Sequence, residues 1–373
     1  MKRNIFISIM AFAMIPLLLE SQTSVQRLQL SHTGIVGISY EYWKAKNDQI
    51  SEFAFPLTFL CPVNDRIGFY AVTAPAMSNL SVGENYSLKG MSDLKFGGHW
   101  LTLKDRFLFT FGLNLPTGRS ALQDDEYPVA SVLSMPAFNF RVPSFGQGLD
   151  FQLGVNGAFE VGGFVIGCGA SYLMKGGYKP FQDLDQTYKP GDEIAVTTGA
   201  DKEVSLFGMN TRLIGNFLYS MYLEDTWAGK NLFQSGNRLL IQFSSLIKLD
   251  ALDLTMLIRD QIKDKNKIGS GEIFDTERNN TNGNQLEILG YGYFRLKQTL
   301  KLKGIAEYKL YSKNDYGAGG AALLGLGAGV QKYLSSRMAC SMECRYYFGS
   351  IYSSTGNTST VGMKLSGGLE YTI

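Results

Sequence analysis

The last thirteen residues of the chain, Val361 to Ile373, alternate between two kinds of side chain up to the carboxyl terminus. One face carries Val361, Met363, Leu365, Leu369, Tyr371 and Ile373, and the other carries Gly362, Lys364, Ser366, Gly368, Glu370 and Thr372. A period of two is typical of a β-strand with one apolar face and one polar face. A strand that crosses a bilayer needs about 9 to 11 residues. The segment is therefore long enough to be a membrane-spanning strand.

The spacing of four terminal residues resembles the closing strand of bacterial outer-membrane barrels. In those proteins a polar residue, a glycine, an aromatic residue and a terminal hydrophobic residue are spaced as Ser366, Gly368, Tyr371 and Ile373 are here. The resemblance implies that the barrel-assembly machinery recognises this strand during biogenesis.

The amino terminus has the pattern of a secretory signal peptide. Lys2 and Arg3 precede an uncharged apolar run over residues 5–19, which is followed by Glu20 and Ser21. We expect residues 1–21 to be the signal peptide, residues 22–33 a short periplasmic segment and residues 34–373 an outer-membrane β-barrel. No later stretch holds the roughly eighteen consecutive apolar residues that a membrane-spanning helix requires.

The composition agrees with strands in which apolar and polar residues alternate, because the two kinds of residue cancel in the mean hydropathy. Mean hydropathy is −0.04, whereas aromatic residues reach 13% and glycines number 42. Alternating barrel strands produce this combination. The formal net charge of +2 indicates no nucleic-acid or acidic partner.

The connections between the alternating segments predict an antiparallel transmembrane β-barrel of about 16 strands, within a range of 12–16, because short turns and longer connections alternate. The expected strands are 34–43, 50–61, 66–74, 91–103, 106–116, 149–159, 164–175, 192–200, 204–219, 237–247, 252–263, 284–296, 299–311, 320–333, 337–348 and 360–373. The short turns, including Asp201–Glu203, are placed on the periplasmic side. The longer connections 75–90, 117–148, 176–191, 220–236 and 264–283 are placed outside.

One segment leaves the strand count open. Residues 128–142 have some strand character, but Pro128, Pro136 and Pro143 disfavour a regular central strand, so we assign the segment to an external loop. Fourteen strands with a plugging amino-terminal segment is the alternative.

The polar face of the strands predicts the lining of the barrel interior. The candidates are Arg259, Glu287, Tyr291, Arg295, Lys303, Glu307, Glu343 and Arg345. Charges of both signs indicate either a hydrated pore or a paired network that packs the interior. Gly325, Gly327 and Gly329 share this face, where they leave space for a bend, a ligand or a plug.

Aromatic residues near the strand ends suggest interfacial girdles. The examples are Tyr40, Tyr42 and Trp43 at one place and Tyr346, Tyr347 and Phe348 at another.

The sequence gives no indication of catalysis, a metal site or a cofactor. The four cysteines, Cys61, Cys168, Cys340 and Cys344, lie in phase with apolar strand faces, so we interpret them as small hydrophobic residues. The histidines are His32 and His99, and His99 falls on the predicted inner face, whereas a lipid hydrolase would need it at the lipid surface. We therefore expect a protein that is not an enzyme.

Several motifs resemble a family of outer-membrane transporters. They are Ser92-Asp93-Leu94-Lys95-Phe96-Gly97-Gly98, Leu113-Asn114-Leu115-Pro116-Thr117-Gly118-Arg119, Val142-Pro143 with Gly146-Gln147-Gly148-Leu149-Asp150, and Tyr188-Lys189-Pro190-Gly191-Asp192-Glu193. In this order they are similar to the phenol-degradation MetA-pathway group, which is distantly related to the long-chain fatty-acid channel family.

The resemblance covers residues 90–220. It implies passive uptake or exchange of small hydrophobic or aromatic molecules across the outer membrane of a Gram-negative bacterium, with outer-membrane lipid and the cargo as partners. The alternative is a structural or surface-interaction barrel with a plugged lumen, whose external loops 117–148 and 264–283 bind a ligand.

Overall fold

The computed structural model describes residues 32–102, 105–206, 208–270, 273–353 and 356–373. The expected signal peptide and nearly all of the expected periplasmic segment lie outside these residues. None of the helices in the described part of the chain is long and apolar enough to cross a membrane.

Twenty-four strands and one α-helix follow one another along the described chain. They are β1 (Thr33–Ala45), β2 (Asp48–Ala54), β3 (Leu57–Pro62), β4 (Ile67–Thr73), β5 (Pro75–Val82), β6 (Glu84–Met91), β7 (Leu94–Thr102), β8 (Phe107–Leu115), α1 (Tyr127–Leu133), β9 (Asp150–Val161), β10 (Phe164–Met174), β11 (Tyr188–Lys189), β12 (Glu193–Leu206), β13 (Met209–Tyr222), β14 (Glu224–Trp227), β15 (Lys230–Gln234), β16 (Arg238–Lys248), β17 (Leu252–Lys263), β18 (Lys267–Ser270), β19 (Ile273–Thr276), β20 (Gln285–Lys297), β21 (Leu300–Tyr311), β22 (Gly320–Tyr333), β23 (Met338–Ser353) and β24 (Gly356–Thr372).

The main sheet closes into a barrel of 16 antiparallel strands, as the alternation of turns predicts. Its nineteen segments make sixteen barrel strands because β2 continues into β3, β4 into β5 and β6 into β7. The closing strand β24 pairs with β1 from Thr33↔Thr372 to Ala45↔Thr360. The terminal segment is therefore the closing strand of the barrel, as its resemblance to such strands implies.

Side chains alternate between the outer surface and the interior of the barrel. On β21, Leu302, Tyr308 and Leu310 are 38–42% exposed on the outside, whereas Glu307 and Lys309 between them are at most 8% exposed. Apolar residues face out and many polar residues face in, which is the arrangement of an outer-membrane barrel.

The turn predicted at Asp201–Glu203 is wrong. β12 continues to Leu206 and β13 begins at Met209, with Gly208 at a positive φ of 77° between them. Asp201 is 2% exposed, and its carboxylate binds the guanidinium of Arg212 inside the barrel. Because Arg212 neutralises this charge inside the barrel, β12 continues across Asp201–Glu203, although these polar residues are typical of a turn.

The connection predicted at residues 75–90 is also wrong, because β5 and β6 form a hairpin around Gly83 there. The inner face of this hairpin is largely apolar, with Ala76, Leu80 and Leu88 buried beside Ser78, whereas the outer face carries Asn79, Ser87 and Lys89 together with Met77. At the extracellular end the outer face meets water and the inner face meets an inserted loop. The hairpin therefore does not follow the pattern of the membrane-spanning strands, in which apolar side chains face outward and polar side chains face inward.

The long connections carry further structure at the extracellular end. β11, β14, β15, β18 and β19 form a separate five-stranded sheet above the barrel. Residues 116–149, called the inward loop below, contain α1 and fold into the barrel. The prediction that residues 128–142 are not a barrel strand is confirmed, but the segment lies inside the barrel rather than outside it.

Two of the aromatic residues assigned to girdles face the interior instead. Trp43 and Tyr347 are each 1% exposed and their rings lie 5.1 Å apart. Tyr346 and Phe348 do face outward. Neighbouring strand residues point to opposite faces, so a cluster of adjacent aromatics cannot all belong to a girdle.

The four cysteines are free thiols. Cys168 and Cys344 are exposed on the outer surface.

Candidate functional site

A network of charged side chains runs along the inner wall formed by β21 and β23. Lys303 Nζ lies 2.6 Å from Glu343 Oε2, and Arg345 contacts both Glu343 and, at 3.3 Å, Glu307. Lys309 Nζ lies 3.4 Å from the same Glu307. We call these five residues the interior charge network. Each carboxylate in it has at least two cationic neighbours, which offsets the cost of removing the charges from water.

Aromatic rings lie beside both lysines of this network. Lys303 Nζ lies 5.3 Å from the ring centroid of Tyr291 and 5.6 Å from that of Tyr293. Lys309 Nζ lies 5.5 Å from the ring centroid of Tyr347, whose hydroxyl donates a 2.6 Å hydrogen bond to Glu307. Cation–π contacts of this kind stabilise ammonium groups that are shielded from water.

The three remaining predicted lining residues belong to two separate ion pairs, of which one includes Asp253. Arg259 Nη1 lies 3.4 Å from Glu287 Oε2, and Glu287 also accepts a 2.6 Å hydrogen bond from the hydroxyl of Tyr311. Arg295 is 46% exposed near the periplasmic end, 3.6 Å from Asp253. The structure thus brings Tyr291, Lys303, Glu307, Glu343 and Arg345 together and leaves the other three candidates apart from them.

The inward glycines of β22 lie beneath large side chains of β23. A Cβ atom on Gly325 would lie 2.6 Å from the ring of Tyr347, and one on Gly327 would lie 2.8 Å from Cγ of Arg345. Gly325 pairs with Tyr347 and Gly327 with Arg345 in the sheet. The space that the glycines leave is therefore filled by neighbouring side chains that lie flat against the wall.

The inward loop fills part of the extracellular half of the interior with apolar side chains. Val129, Leu133, Phe138, Phe140, Val142 and Phe145 of the loop are buried in one cluster with Trp43, Ile50, Leu80, Leu88, Leu323 and Tyr347 of the wall. The ring centroids of Phe138 and Trp43 are 5.0 Å apart. Burying a side chain such as phenylalanine contributes about 1.5–3 kcal/mol, so the cluster holds the loop inside.

Polar contacts fix the tip of this loop to the wall. Lys364 Nζ donates a hydrogen bond to the carbonyl of Asn139 and lies 2.9 Å from Glu41. The backbone N–H of Val142 donates a 3.0 Å hydrogen bond to buried Glu52. The carbonyl of Pro136 accepts a 3.3 Å hydrogen bond from the Tyr311 hydroxyl.

A single carboxylate holds both ends of the inward loop. Asp93, 4% exposed, accepts a 2.9 Å hydrogen bond from the N–H of Gly118 on Oδ1. Its Oδ2 accepts hydrogen bonds from the N–H of Gln147 at 2.8 Å and from Asn114 Nδ2 at 2.9 Å. A Cβ on Gly118 would lie 2.0 Å from the carbonyl oxygen of Phe145, so this crossing requires glycine.

Three of the motifs that carry the family resemblance thus converge at the base of the loop. Their residues Asp93, Gly118 and Gln147 are far apart in the sequence but share one set of hydrogen bonds. The structure gives these motif residues a physical role, because they clamp the two ends of the loop together.

The middle of the wall on the other side of the interior carries many small or amide side chains, and the ion pairs Asp201–Arg212 and Glu193–Arg238 lie toward its two ends. Strands β8 to β16 present Gly112, Gly154, Gly167, Gly169, Gly199, Gln152, Asn156, Asn216 and Gln242 to the interior. Asn156 lies over Gly169 and Asn216 over Gly199, as Tyr347 lies over Gly325. Amide groups therefore line the middle of this wall, where Asn156 and Asn216 lie flat over glycines.

Sequence reasoning missed Glu41, Glu52 and Asp93 as interior residues. Glu52 lies in phase with Ile50 and Ala54, which are also buried, and a phase count along β2 indicates its direction. Asp93 lies in the gap between β6 and β7, where no strand phase applies. Its role required the tertiary structure.

The position of His99 and the possible metal ligands can also be read from the structure. His99 lies on the inner face against Gly68. Among the described residues, no three His, Cys, Asp or Glu side chains form a group that could hold a metal ion.

Comparisons with known proteins give similarities of overall structure at low sequence identity. No protein-family model matches the sequence, and no curated protein matches it. The solved structures that are similar include the CymD monoaromatic hydrocarbon channel, with 10% identity over 94% of this chain and 91% of that chain at a TM-score of 0.46.

Two further structures come from Pseudomonas species. OccK5 (OpdH) of Pseudomonas aeruginosa has 10% identity over 92% of this chain and 98% of its own, at a TM-score of 0.46. An outer membrane channel of Pseudomonas putida F1 has 10% identity over 92% and 96%, at 0.38. Because each TM-score is below 0.5, these similarities assign neither a family nor a cargo to this chain.

Proposed function

We propose that this chain is an outer-membrane channel for the passive uptake or exchange of small, hydrophobic or aromatic molecules. The observation that carries the proposal is a closed barrel with an apolar outer surface and an interior divided between an apolar inserted loop and a wall whose middle carries uncharged small and amide side chains. A molecule with an aromatic ring and few polar groups can contact both surfaces. The family resemblance of residues 90–220 points to the same class of cargo.

The proposed setting is the outer membrane of a Gram-negative bacterium, reached by an amino-terminal signal peptide. Outer-membrane lipid surrounds the apolar surface, and the barrel-assembly machinery is the partner during biogenesis. Ser366, Gly368, Tyr371 and Ile373 are the residues that we assign to its recognition; Tyr371 and Ile373 project outward at 47% and 66% exposure. No catalytic role is part of the proposal.

One observation favours the second candidate, a surface-interaction barrel with a plugged lumen. The inward loop is held by an apolar cluster and by polar contacts at its tip and base. If the loop closes the interior completely, the extracellular sheet would be the functional surface instead.

The test is conduction by the purified protein, with and without release of the loop. Asp93→Ala removes the acceptor of three hydrogen bonds, and bonds to a charged group contribute about 1.5–3 kcal/mol each. We expect the wild type to conduct in planar bilayers and to accelerate uptake of a hydrophobic dye into liposomes. Asp93→Ala should raise the conductance and its noise.

The matched control is Asp124→Ala, which removes an exposed carboxylate of the same loop. It should leave conductance unchanged. A wild type that neither conducts nor moves the dye would refute the channel, and conduction only after Asp93→Ala would favour the plugged barrel.

A further inference from the structure

The periplasmic half of the interior contains a cavity below the inward loop. Its volume is about 170 Å³, and it lies between β1 and the strands β20 to β24. Tyr293, Lys303, Gln331, Ser341, Glu343 and Ser366 line it. A cavity of about 150 Å³ is large enough to hold benzene. One small ring therefore fits here.

The charges that line the cavity are already paired with each other. Lys303 and Glu343 have side chains only 8% and 13% exposed, and Glu343 also binds Arg345. An anion that recruited Lys303, or a cation that recruited Glu343, would leave the former partner buried without its counter-charge. Breaking a buried pair in this way costs about 3–5 kcal/mol. Glu370, which also lines the cavity, is half-buried at the periplasmic end and makes contacts of its own.

The other polar groups that line the cavity are neutral. The hydroxyls of Ser341 and Ser366 and the amide of Gln331 can donate and accept hydrogen bonds without breaking an ion pair. The ring of Tyr293 and the side chain of Ile35 supply apolar surface beside them. The cavity thus combines ring-sized apolar space with neutral hydrogen-bonding groups.

We propose that this cavity is a binding site for uncharged, ring-sized molecules that carry a hydroxyl or carbonyl group, and that it discriminates against charged ring compounds. The proposal rests on the proposed function as a channel, since the residues that line the cavity belong to the barrel wall. It adds a selection by charge. Because the lysine and the glutamate that line the cavity are already paired, a charged ligand can bind only by breaking an ion pair of the interior charge network.

The experiment compares three probes of nearly equal size: benzyl alcohol, benzoate and benzylammonium. Binding to the detergent-solubilised full-length protein is measured by equilibrium dialysis, and the part lost in Ser341→Leu or Ser366→Leu is assigned to the cavity. We expect benzyl alcohol to bind at least about tenfold more tightly than either ion, which corresponds to 1.4 kcal/mol. Heat-modifiable migration in gels shows that each variant is folded.

A charge-releasing variant tests the cause of the selection. Glu343→Gln leaves Lys303 without its carboxylate, so benzoate binding should rise about tenfold while benzyl alcohol binding stays the same. Glu84→Gln, which changes an exposed residue of the extracellular hairpin, is the control.

The binding experiment tests the proposed site, and the conduction experiment tests the proposed channel, so either proposal can be refuted without the other. Equal binding of the three probes, or binding that neither leucine variant reduces, would overturn the proposed site even in a conducting channel. Selective binding by a protein that is silent in bilayers would instead refute the channel and keep the site.

Discussion

At the scale of single residues, the interior of this barrel depends on pairs of a glycine and a large side chain on adjacent strands. Tyr70 lies over Gly97, Trp43 over Gly362 and Tyr347 over Gly325. In each pair the glycine faces its partner in the sheet register. A side chain that lies over a glycine follows the wall instead of projecting across the interior. These glycines serve close approach and not backbone flexibility.

Gly325→Ala tests this arrangement. The added Cβ would lie 2.6 Å from the Tyr347 ring, which cannot move away easily because it packs on Trp43 and binds Glu307. Overpacking of this kind costs about 1–3 kcal/mol, so the urea midpoint of unfolding in detergent should fall. Gly304→Ala, where nothing lies within 4 Å of the new Cβ, should leave it unchanged. Equal midpoints for the two variants would contradict the role of the pair.

At the scale of elements, the extracellular connections are ordered by carboxylates and amides that accept hydrogen bonds from backbone N–H groups. Asp93 does this for the inward loop, Asp225 accepts from the N–H of Gly191, and Asn266 accepts from that of Gly236. Gly191 and Gly236 each cross a backbone carbonyl at a distance that excludes a Cβ. The long loops are therefore compact structures that are held by hydrogen bonds from their backbone N–H groups to buried side chains.

The connection that contains β18 and β19 is predicted to loosen in acid. Partial burial acts to raise the pKa of Glu277, but hydrogen bonds from the N–H of Asn266 and from the N–H and hydroxyl of Thr281 outweigh it and hold the pKa below its ordinary value of 4.5. Since the folded-state pKa is lowered, the stabilisation is present at neutral pH. It is lost as the pH falls below 4.5 through the lowered pKa.

Pepsin cleavage within residues 264–283 measures this effect. At pH 5, Glu277→Gln should be cleaved faster than the wild type because glutamine lacks the charge that strengthens the three hydrogen bonds. At lower pH the two proteins should converge as Glu277 takes up its proton. A constant ratio of the two rates from pH 5 to pH 2 would show that Glu277 does not stabilise the loop through its charge.

At the scale of the whole molecule, closure of the barrel joins the two ends of the described chain. The N–H of Ile373 donates a 2.8 Å hydrogen bond to the carbonyl of His32, and the N–H of Thr372 donates one of 2.7 Å to that of Arg337. The terminal strand leaves no open edge at the seam, and an open edge would expose unpaired backbone groups to lipid.

Tyr371→Ala with Ile373→Ala separates the recognition of this strand from its pairing. Both side chains project outward while the backbone keeps its partners on β1. We expect the yield of heat-modifiable barrel in cells to fall severalfold, with refolding of the purified chain into detergent nearly unchanged. Tyr371→Phe, which keeps the aromatic ring, should assemble normally. An equal loss in cells and in detergent would place the role of these residues in stability and not in recognition.

The sequence by itself determined the barrel, its sixteen strands and its seam, because the alternation of side chains is a property of neighbouring residues. It also placed the charged residues of β20, β21 and β23 on the polar face. The sequence-based prediction was wrong at Asp201, because an ion pair with Arg212 allows this charged residue to lie within a strand. It was also wrong at the hairpin around Gly83, because the inward loop contacts the inner face there and favours apolar side chains on that face. Only the tertiary structure decided what fills the barrel. The inward loop is held by contacts such as Asp93 with Gln147 and Lys364 with Asn139, which join residues that no local pattern connects.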